Sequence, residues 1–488
     1  MVRRWRCRLS LLLSGLLSLG FASAENSFEN TAIVRTVELG GSLVQVSTTY
    51  AVKALEDDAR LYKLALGKRE HERTSWLEAR IKGQAATLPL EDAGYDPESG
   101  IYFYSVELPT PLKMNETANV VVDTVETHAT YPWPEQASQK DGQSLKSERE
   151  LFVLSPYATA VERIKFRSPS PTVHSYTDPG NMDEFTMEAP VTKSGATITY
   201  GPYHNVPVTA SKEFLQNKQK TVAVHYSYES PVLEVTEYHR AAEISHWGAN
   251  LNIEDKISLH NAGPSLKGHF SRLEYQASNF YGRPPPHIIP GLSLQLPAGI
   301  HSAYYYDLIG NVSTSRLRTA LSPIKGMQSN QFSLLELRPR YPLMGGWNYS
   351  FTLGWDSPLE DYAGYDQTTG NYVVAIPLMT VFPGAVVDEA EIKIIMPEGA
   401  TDVDFFPPLS PIESYVVTHV TYLDTVGRPA VVLKYRQLTP RHAGTIYVTY
   451  KVPLSAHLKK PMAVAAAFMG LFVLGFVIKR MDIRIQKK

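Results

Sequence analysis

The chain has 488 residues, a length that predicts two or three domains, and its 43% apolar content is enough for sizeable cores. A formal net charge of −2 gives no reason to expect nucleic acid as a partner. The one cysteine, Cys7, lies in a segment that we predict is removed, which excludes thiol catalysis, redox exchange and cysteine-bound zinc from the mature chain.

The first 24 residues have the features of a secretory signal peptide. A basic start is followed by Leu9–Phe21, which is apolar apart from serines and glycines, and then by the small residues Ala22-Ser23-Ala24. We predict cleavage between Ala24 and Glu25. An exported protein without disulfides needs large cores or partners for its stability.

Most of the following sequence predicts β-strands. Leu43–Val52 alternates, with Val44, Val46, Thr48 and Tyr50 on one face, and this period of two is typical of a half-buried strand. The 28 tyrosines and 34 prolines fit strands and turns better than helix bundles. Similar runs are Asn119–Thr124, Ala196–Tyr200, Thr221–Tyr228, Leu251–Leu259, Tyr372–Ile376, Ile392–Met396, Tyr415–Tyr422, Ala430–Tyr435 and Thr445–Val452.

Three segments are less regular. Glu56–Gly83 is rich in Arg, Lys, Glu and Leu, and its pattern leaves open a short helix or a charged edge. Tyr131–Glu148 and Gly282–Gly291 are predicted to be exposed loops because turn-forming residues cluster in them.

Two pairs of similar segments suggest a duplication. TVAVHY at 221–226 matches TIYVTY at 445–450, and Arg35-x-x-Glu38 precedes a strand as Arg240-x-x-Glu243 does. We predict a mainly β fold with two sandwich-like domains, at 25–231 and 232–455. The linker would lie near Ser230–Val235, where Pro231 interrupts strand propensity.

Catalytic motifs are incomplete in this sequence. His71-Glu72 begins like a zinc-protease helix, but Ser75 stands where the second histidine ligand belongs. The pair Asp402 and Asp404 has no nucleotide-binding pattern around it, and His246 is interpreted as a packed or hydrogen-bonded core histidine. The sequence therefore predicts no catalytic residue, no cofactor and no metal site.

Three N-x-S/T sequons begin at Asn115, Asn311 and Asn348, and each is a candidate N-glycosylation site in an exported chain. Asn311 lies in the polar run Gly310–Ser315, which predicts an exposed turn, whereas Asn348 is expected at a strand edge. A glycan would keep each of these surfaces clear of other subunits.

Near the carboxyl end, residues 461–478 contain no charged or polar side chain. As a helix they would span ~27 Å, close to the ~30 Å core of a bilayer. The flank Lys479–Lys488 carries five Lys or Arg residues against one Asp, which marks the cytoplasmic side. We predict a type I protein with a short cytoplasmic tail, residues 479–488.

Small residues in this span, at Ala466, Gly470 and Gly475, permit close approach of another helix. A lipid-facing role for the same residues stays open.

The sequence then resembles the ribophorin I family, in its fungal-like short-tailed form. The opening FENTAIVRTVEL (28–39) looks like the start of that family's first domain. The other matching segments are SHWGANLNIEDKISLHNAG (245–263), KGHFSRLEYQ (267–276), IGNVSTS (309–315), LRPRYPLMGGW (337–347), IIMPEGA (394–400) and YLDTVGRP (422–429).

The resemblance implies a non-catalytic subunit of the oligosaccharyltransferase of the endoplasmic reticulum membrane. That complex transfers a preassembled oligosaccharide from dolichyl diphosphate to asparagine in N-x-S/T of nascent polypeptides. The implied partners are its catalytic multi-spanning subunit, its other small subunits, nascent chains and membrane lipid, with no nucleic acid. The family's glycosylated asparagine corresponds to Asn311, and the short tail makes a ribosome-docking role doubtful.

Two other classes of function would be distinguished from this one by experiment. An independent membrane-anchored hydrolase would show activity in the purified ectodomain that one carboxylate or histidine substitution removes. A cell-surface adhesion or receptor protein would carry complex glycans, whereas residence in the reticulum leaves high-mannose glycans.

Overall fold

A computed structural model describes residues 27–282, 285–322, 331–422 and 424–481. The predicted signal peptide (1–24), its cleavage site between Ala24 and Glu25, and positions 482–488 of the predicted tail lie outside the described residues.

The first half of the chain is built from short helices and many strands. Its helices are α1 (Lys68–Arg73) and α2 (Lys212–Asn217). Its strands are β1 (Phe28–Glu38), β2 (Leu43–Ala54), β3 (Ala59–Gly67), β4 (Thr74–Ile81), β5 (Leu90–Asp96), β6 (Ile101–Leu112), β7 (Thr117–Thr127), β8 (Thr130–Pro132), β9 (Gln136–Ala137), β10 (Ser144–Glu150), β11 (Thr159–Arg167), β12 (Val173–Tyr176), β13 (Val191–Ser194), β14 (Thr197–Val206) and β15 (Thr221–Ser227).

The second half has the same character and ends in a long helix. Its helices are α3 (Arg272–Tyr281) and α4 (Leu454–Arg480). Its strands are β16 (Leu233–Ser245), β17 (Asn250–Asn261), β18 (Ser265–Leu266), β19 (Leu292–Leu296), β20 (His301–Asp307), β21 (Arg316–Arg318), β22 (Ser333–Leu337), β23 (Asn348–Pro358), β24 (Ala363–Asp366), β25 (Asn371–Pro377), β26 (Val386–Ile395), β27 (Thr401–Phe406), β28 (Glu413–His419), β29 (Arg428–Leu438) and β30 (Thr445–Lys451).

The two halves repeat one topology. The seven-stranded sheet β13-β14-β11-β1-β2-β7-β4 has the same order as β28-β29-β26-β16-β17-β23-β20, and in each the first strand of the half pairs in parallel with a later one, β11 or β26. The four-stranded sheets β12-β15-β10-β8 and β27-β30-β25-β24 correspond, as do the three-stranded sheets β3-β6-β5 and β19-β22-β21.

This repetition supports the duplication hypothesis. Both pairs of similar segments fall on equivalent strands, since 221–226 lies in β15 and 445–450 in β30, while Arg35 lies in β1 and Arg240 in β16. Within the described residues, β9 and β18 are the strands outside the repeat, and they pair with each other in parallel across the two halves. The boundaries 25–231 and 232–455 remain a proposal.

Side chains distant in sequence reinforce the junction between the halves. His128 at the end of β7 lies 3.2 Å from Glu234 and 2.7 Å from Asp388, and hydrogen bonds to Asp388 and Glu234 raise its pKa to about 10. His128 is therefore charged at neutral pH. On another face, the Trp76 ring meets the His442 ring edge-on, with centroids 5.1 Å apart.

The predicted strands are present, and the inward face of β2 is the one that alternation indicated. Val44, Val46, Thr48 and Tyr50 are all buried. Glu56–Gly83, left undecided, contains β3, the six-residue α1 and β4.

Both loop predictions were wrong in part. Tyr131–Glu148 contains β9 and most of β10, where Leu145 is fully buried in the apolar core of the first half, while Glu148, Arg149 and Glu150 line a charged cavity. In Gly282–Gly291, His287, Ile288 and Ile289 are buried, and Ile289 bridges to Leu343 of the core.

Each half buries one arginine at the same place in its first hairpin. Arg240 pairs with Asp255 through two hydrogen bonds of 2.7 Å, and both side chains are inaccessible to solvent. The equivalent Arg35 faces Thr48 across the hairpin at 3.2 Å and pairs with Glu70 at 3.1 Å. The two copies thus keep the buried cation but neutralise it from different elements.

We predict that Asp255→Ala lowers the free energy of unfolding by about 3–5 kcal/mol, because the charge of Arg240 is then buried without its partner. Denaturant unfolding of the purified chain in mild detergent would measure the loss. The double variant Arg240→Met with Asp255→Leu should recover much of it, since apolar replacement of a buried ion pair is often neutral.

The control is Glu413→Ala, which removes a solvent-exposed ion pair with Lys434 and should change stability little. Stability of Asp255→Ala equal to that of the control would show that the buried pair is not needed.

Candidate functional site: the apolar helix and its base

The carboxyl-terminal helix α4 is the element that bears most directly on the location of this protein in the cell. It has 27 residues, about 40 Å at 1.5 Å per residue, and none of its side chains is buried in the chain. Within the described ranges it is the helix long and apolar enough to cross a membrane. The predicted span 461–478 lies inside it, and α4 extends beyond that span at both ends.

The first two turns of α4 are fixed to the second half of the protein. Lys460 Nζ lies 2.8 Å from Oε2 of Glu398 and 3.2 Å from Oδ1 of Asp424. Lys459 Nζ donates a hydrogen bond of 2.8 Å to Thr425 Oγ1. The uncharged run therefore begins one residue after a lysine whose position the sheets determine.

Glu398, in the turn after β26, also holds the connection between β28 and β29. Its Oε1 accepts hydrogen bonds from the backbone N–H of Thr425 at 2.8 Å, from the Thr425 hydroxyl at 2.7 Å and from the Val426 N–H at 3.1 Å. Burial raises the pKa of Glu398, but hydrogen bonds from Lys460 and Thr425 outweigh that effect and lower the pKa to about 2. The carboxylate is therefore ionised at neutral pH.

Asp424 extends the same cluster to β16. Its Oδ2 accepts hydrogen bonds from Thr421 Oγ1 at 2.6 Å and Arg428 Nε at 3.1 Å, and Arg428 also pairs with Glu243 of β16. Burial acts to raise the pKa of Asp424, but these bonds and Lys460 hold the pKa well below its usual range. We call Lys460, Glu398, Asp424, Arg428 and Glu243 the basal cluster.

His246 also lies at the helix base. Its Nε2 lies 2.8 Å from the Tyr450 hydroxyl, and its ring stacks on that of His457, with centroids 5.4 Å apart. Burial, and then the neighbouring His457, lower the pKa of His246 to about 4. His246 is thus neutral at neutral pH and hydrogen-bonded, and it packs between a strand and α4.

The three small residues singled out in the span face away from the rest of the chain. A methyl group added at Gly470 or Gly475 would meet no other atom of the protein within 4 Å, and Ala466 is exposed. Their role in packing against another helix remains a prediction.

The three sequon asparagines are all exposed. Asn115 lies in the turn between β6 and β7, and Asn311 follows β20 in the turn that the sequence predicted. Arg340 holds this turn by donating to the Asn311 carbonyl oxygen at 2.9 Å. Asn348 is the first residue of β23, which lies between β20 and β17, so it marks the end of a strand and not the edge of a sheet.

The residues of the incomplete catalytic motifs have structural contacts. The His71 ring stacks on Tyr102 at 3.7 Å, and α1 ends at Arg73, so Ser75 belongs to β4 and is not one helical turn away. Asp402 pairs with Lys451 at 3.2 Å. Across the described residues, no group of three or more His, Cys, Asp or Glu side chains is placed to hold a metal ion.

One charged cluster escaped the sequence analysis. Four arginines and four glutamates from β1, α1, β7 and β10 line a cavity of about 30 Å³: Arg35, Arg69, Arg73, Arg149, Glu70, Glu126, Glu148 and Glu150. Balanced charge and room for only a few water molecules fit a network of ion pairs and not a substrate site. The alternating charges of α1 and β10 were the available signal.

We predict that Glu398→Ala speeds amide hydrogen exchange at Thr425 and Val426, because both backbone N–H groups lose their acceptor. Mass spectrometry of exchanged peptides covering 420–430 would measure the change. The folded-state pKa of Glu398 lies below its ordinary value of 4.5, so in wild type this protection is complete above pH 4.5 and is lost as pH falls toward 2.

The matched control is Glu389→Ala on β26. The carboxylate of Glu389 is exposed to solvent and lies 3.7 Å from the guanidinium of Arg436. Equal exchange in the two variants would exclude Glu398 as the group that orders the connection.

Comparison with known proteins covers almost the whole chain. The family model described as Ribophorin I matches residues 28–479. A rice relative, dolichyl-diphosphooligosaccharide–protein glycosyltransferase subunit 1B, is 32% identical over 95% of this chain and 93% of its own length. The Caenorhabditis elegans subunit 1 is 30% identical over 97% of this chain and 76% of its own length.

The likeness to solved structures such as yeast LTA4 hydrolase is weak. Yeast LTA4 hydrolase is 12% identical with a TM-score of 0.26, covering 44% of this chain and 31% of that chain, and this carries no argument. The family match and the rice relative do identify the family, because both extend over nearly all the described sheets and into α4. The chain belongs to the ribophorin I family.

Proposed function

We propose that this chain is a non-catalytic subunit of the oligosaccharyltransferase, the complex that transfers a preassembled oligosaccharide from dolichyl diphosphate to asparagine in N-x-S/T of nascent polypeptides. The observation that carries the proposal is the family match over residues 28–479, joined to relatives that are named as subunits of this glycosyltransferase. The chemistry belongs to a separate multi-spanning subunit, and this chain supplies sheets and an anchor beside it.

The architecture supports a non-catalytic role. A lipid-linked donor needs a cavity inside the membrane, and one helix cannot enclose one. Intramembrane polar side chains usually mark function, and the run 461–478 has none. The balanced cavity around Arg35 is too small for a sugar.

The orientation that we propose places residues 25–231 and 232–455 as two domains in the lumen of the endoplasmic reticulum. Lys479 and Arg480 follow the span, and positive residues favour the cytoplasmic side. Lys459 and Lys460 precede it, but Lys460 is neutralised by Glu398 and Asp424, so the charge difference across the membrane keeps its sign.

In that position the two domains would stabilise the complex and handle nascent polypeptides, next to the multi-spanning subunit, the small subunits and lipid. Large disulfide-free sheets suit such a scaffold, because their stability comes from extended cores and the junction between halves. A cell-surface adhesion or receptor role has no support from the named relatives.

We predict that the affinity-purified wild-type chain retains the multi-spanning glycosyltransferase subunit in mild detergent and that Gly470→Leu loses much of it. Leucine would fill the space that a neighbouring helix needs for close approach. Quantitative mass spectrometry of the purified complex measures the ratio of the two chains.

Phe472→Leu is the matched control, because two helical positions from Gly470 it points to another side of α4. Retention of the partner in both variants would support a lipid-facing Gly470. Absence of the glycosyltransferase from the wild-type preparation would contradict the proposed function itself.

We predict that Asn311→Gln removes one glycan that endoglycosidase H can release, because Asn311 is exposed in a turn held by Arg340. Gel mobility before and after digestion measures the change. The variants Asn115→Gln and Asn348→Gln are treated in the same way, and their mobility shifts show whether the other two sequons carry a glycan. Resistance of the Asn311 glycan to the enzyme would indicate passage to the cell surface and would count against residence in the reticulum.

A further inference from the structure

Large apolar side chains are exposed around the base of α4. Trp247 is 68% exposed in the turn between β16 and β17, and Val420, Tyr422 and Val426 are 67%, 92% and 63% exposed in the connection between β28 and β29. Both turns lie at the same end of the second seven-stranded sheet, because Arg428 beside one pairs with Glu243 beside the other. We call these four residues the basal collar.

The basal cluster fixes this collar relative to the helix. Lys459 and Lys460 contact Thr425 and Asp424, which lie between Tyr422 and Val426 in the chain. Trp247 lines the same cleft as Lys460 and Glu398. The collar is therefore level with the last residues before the uncharged run begins at Pro461.

That level coincides with the boundary of a membrane that α4 spans. The hydrocarbon core is ~30 Å thick within a bilayer of ~40–45 Å, so ~5–7 Å of interface lies on each side. Helix residues rise only 1.5 Å each, which keeps positions 459–461 within one such layer. Side chains that project from the collar would enter the same layer.

The chemistry of the collar suits lipid better than water or a polar partner. Tryptophan and tyrosine prefer the membrane interface, where the ring is shielded and the polar atom stays wet. The charged side chains of the basal cluster are already paired with one another, and Lys459 donates a hydrogen bond to Thr425, so these groups keep their partners at the interface. Lys459 and Lys460, at the same level, have long apolar stems and charged ends, and such side chains suit the boundary between lipid and water.

We propose that Trp247, Val420, Tyr422 and Val426 insert into the interfacial layer of the bilayer that α4 crosses, at the amino-terminal end of the helix. The occupant of this surface is membrane lipid. The proposal rests on the membrane span of the proposed function, and it adds a second attachment. A helix alone leaves the sheets free to swing, whereas a collar on one side of the helix fixes their tilt against the membrane.

The test uses the full-length chain in its native membranes, with p-benzoyl-phenylalanine at Tyr422. Tyr422 is 92% exposed, so the larger side chain leaves the core undisturbed. After irradiation, membranes grown with an alkyne-bearing fatty acid report lipid adducts through a dye coupled to the alkyne. We expect lipid label on the chain with the probe at 422.

Phe280 is the matched control, since it is 82% exposed and lies in α3, which the chain reaches after leaving the far end of β17, a strand of 12 residues and thus ~40 Å long. The probe at 280 should give no lipid label above background. A polypeptide adduct in place of lipid at 422 would assign the collar to another subunit and overturn the proposal. Equal, background labelling at 422 and 280 would place the collar in water and overturn it too.

The two proposals fail separately. Lipid label at 422 on a chain that purifies without the glycosyltransferase keeps the collar and refutes the subunit assignment. Co-purification with the glycosyltransferase but without lipid label at 422 keeps the subunit assignment and refutes the insertion of the collar.

Discussion

The start of α4 is fixed to the folded sheets through Lys460, which is held between the carboxylates of Glu398 and Asp424. Glu398 also orders the connection between β28 and β29 through Thr425 and Val426. The cluster thus joins the helix, a turn and a strand connection into one unit. The apolar helix α4 therefore begins as part of the folded second half of the protein.

The repeated topology explains how so large a protein folds without disulfides. Each half contains a seven-stranded, a four-stranded and a three-stranded sheet, and the described strands outside the repeat, β9 and β18, pair across the junction. The buried arginines show how the copies diverged. Arg240 is neutralised by Asp255 in the same hairpin, whereas Arg35 depends on Glu70 of α1 and so couples its sheet to that helix.

A scaffold role agrees with where the polar groups are. The ionised side chains of the interior are matched in sign, around Arg240, around Arg35 and at the helix base, and each set serves to hold elements together. Large exposed apolar side chains include those of the basal collar and those along α4. The apolar side chains of the collar and of α4 are available for contact with lipid or with neighbouring chains.

Local sequence patterns were enough to identify the strands, the apolar span and the family. Alternation in Leu43–Val52 identified the buried face of β2 because side chains of a strand point to opposite faces in turn. The uncharged run 461–478 identified α4 because hydropathy is a property of neighbours in the chain. Four features became visible in the three-dimensional structure alone: the repeated sheet order, the burial of β10, the charged cavity lined by Arg35, and the ion pair between Lys460 and Glu398. These features join residues far apart in sequence, and strand register and packing, which no local pattern encodes, select their partners.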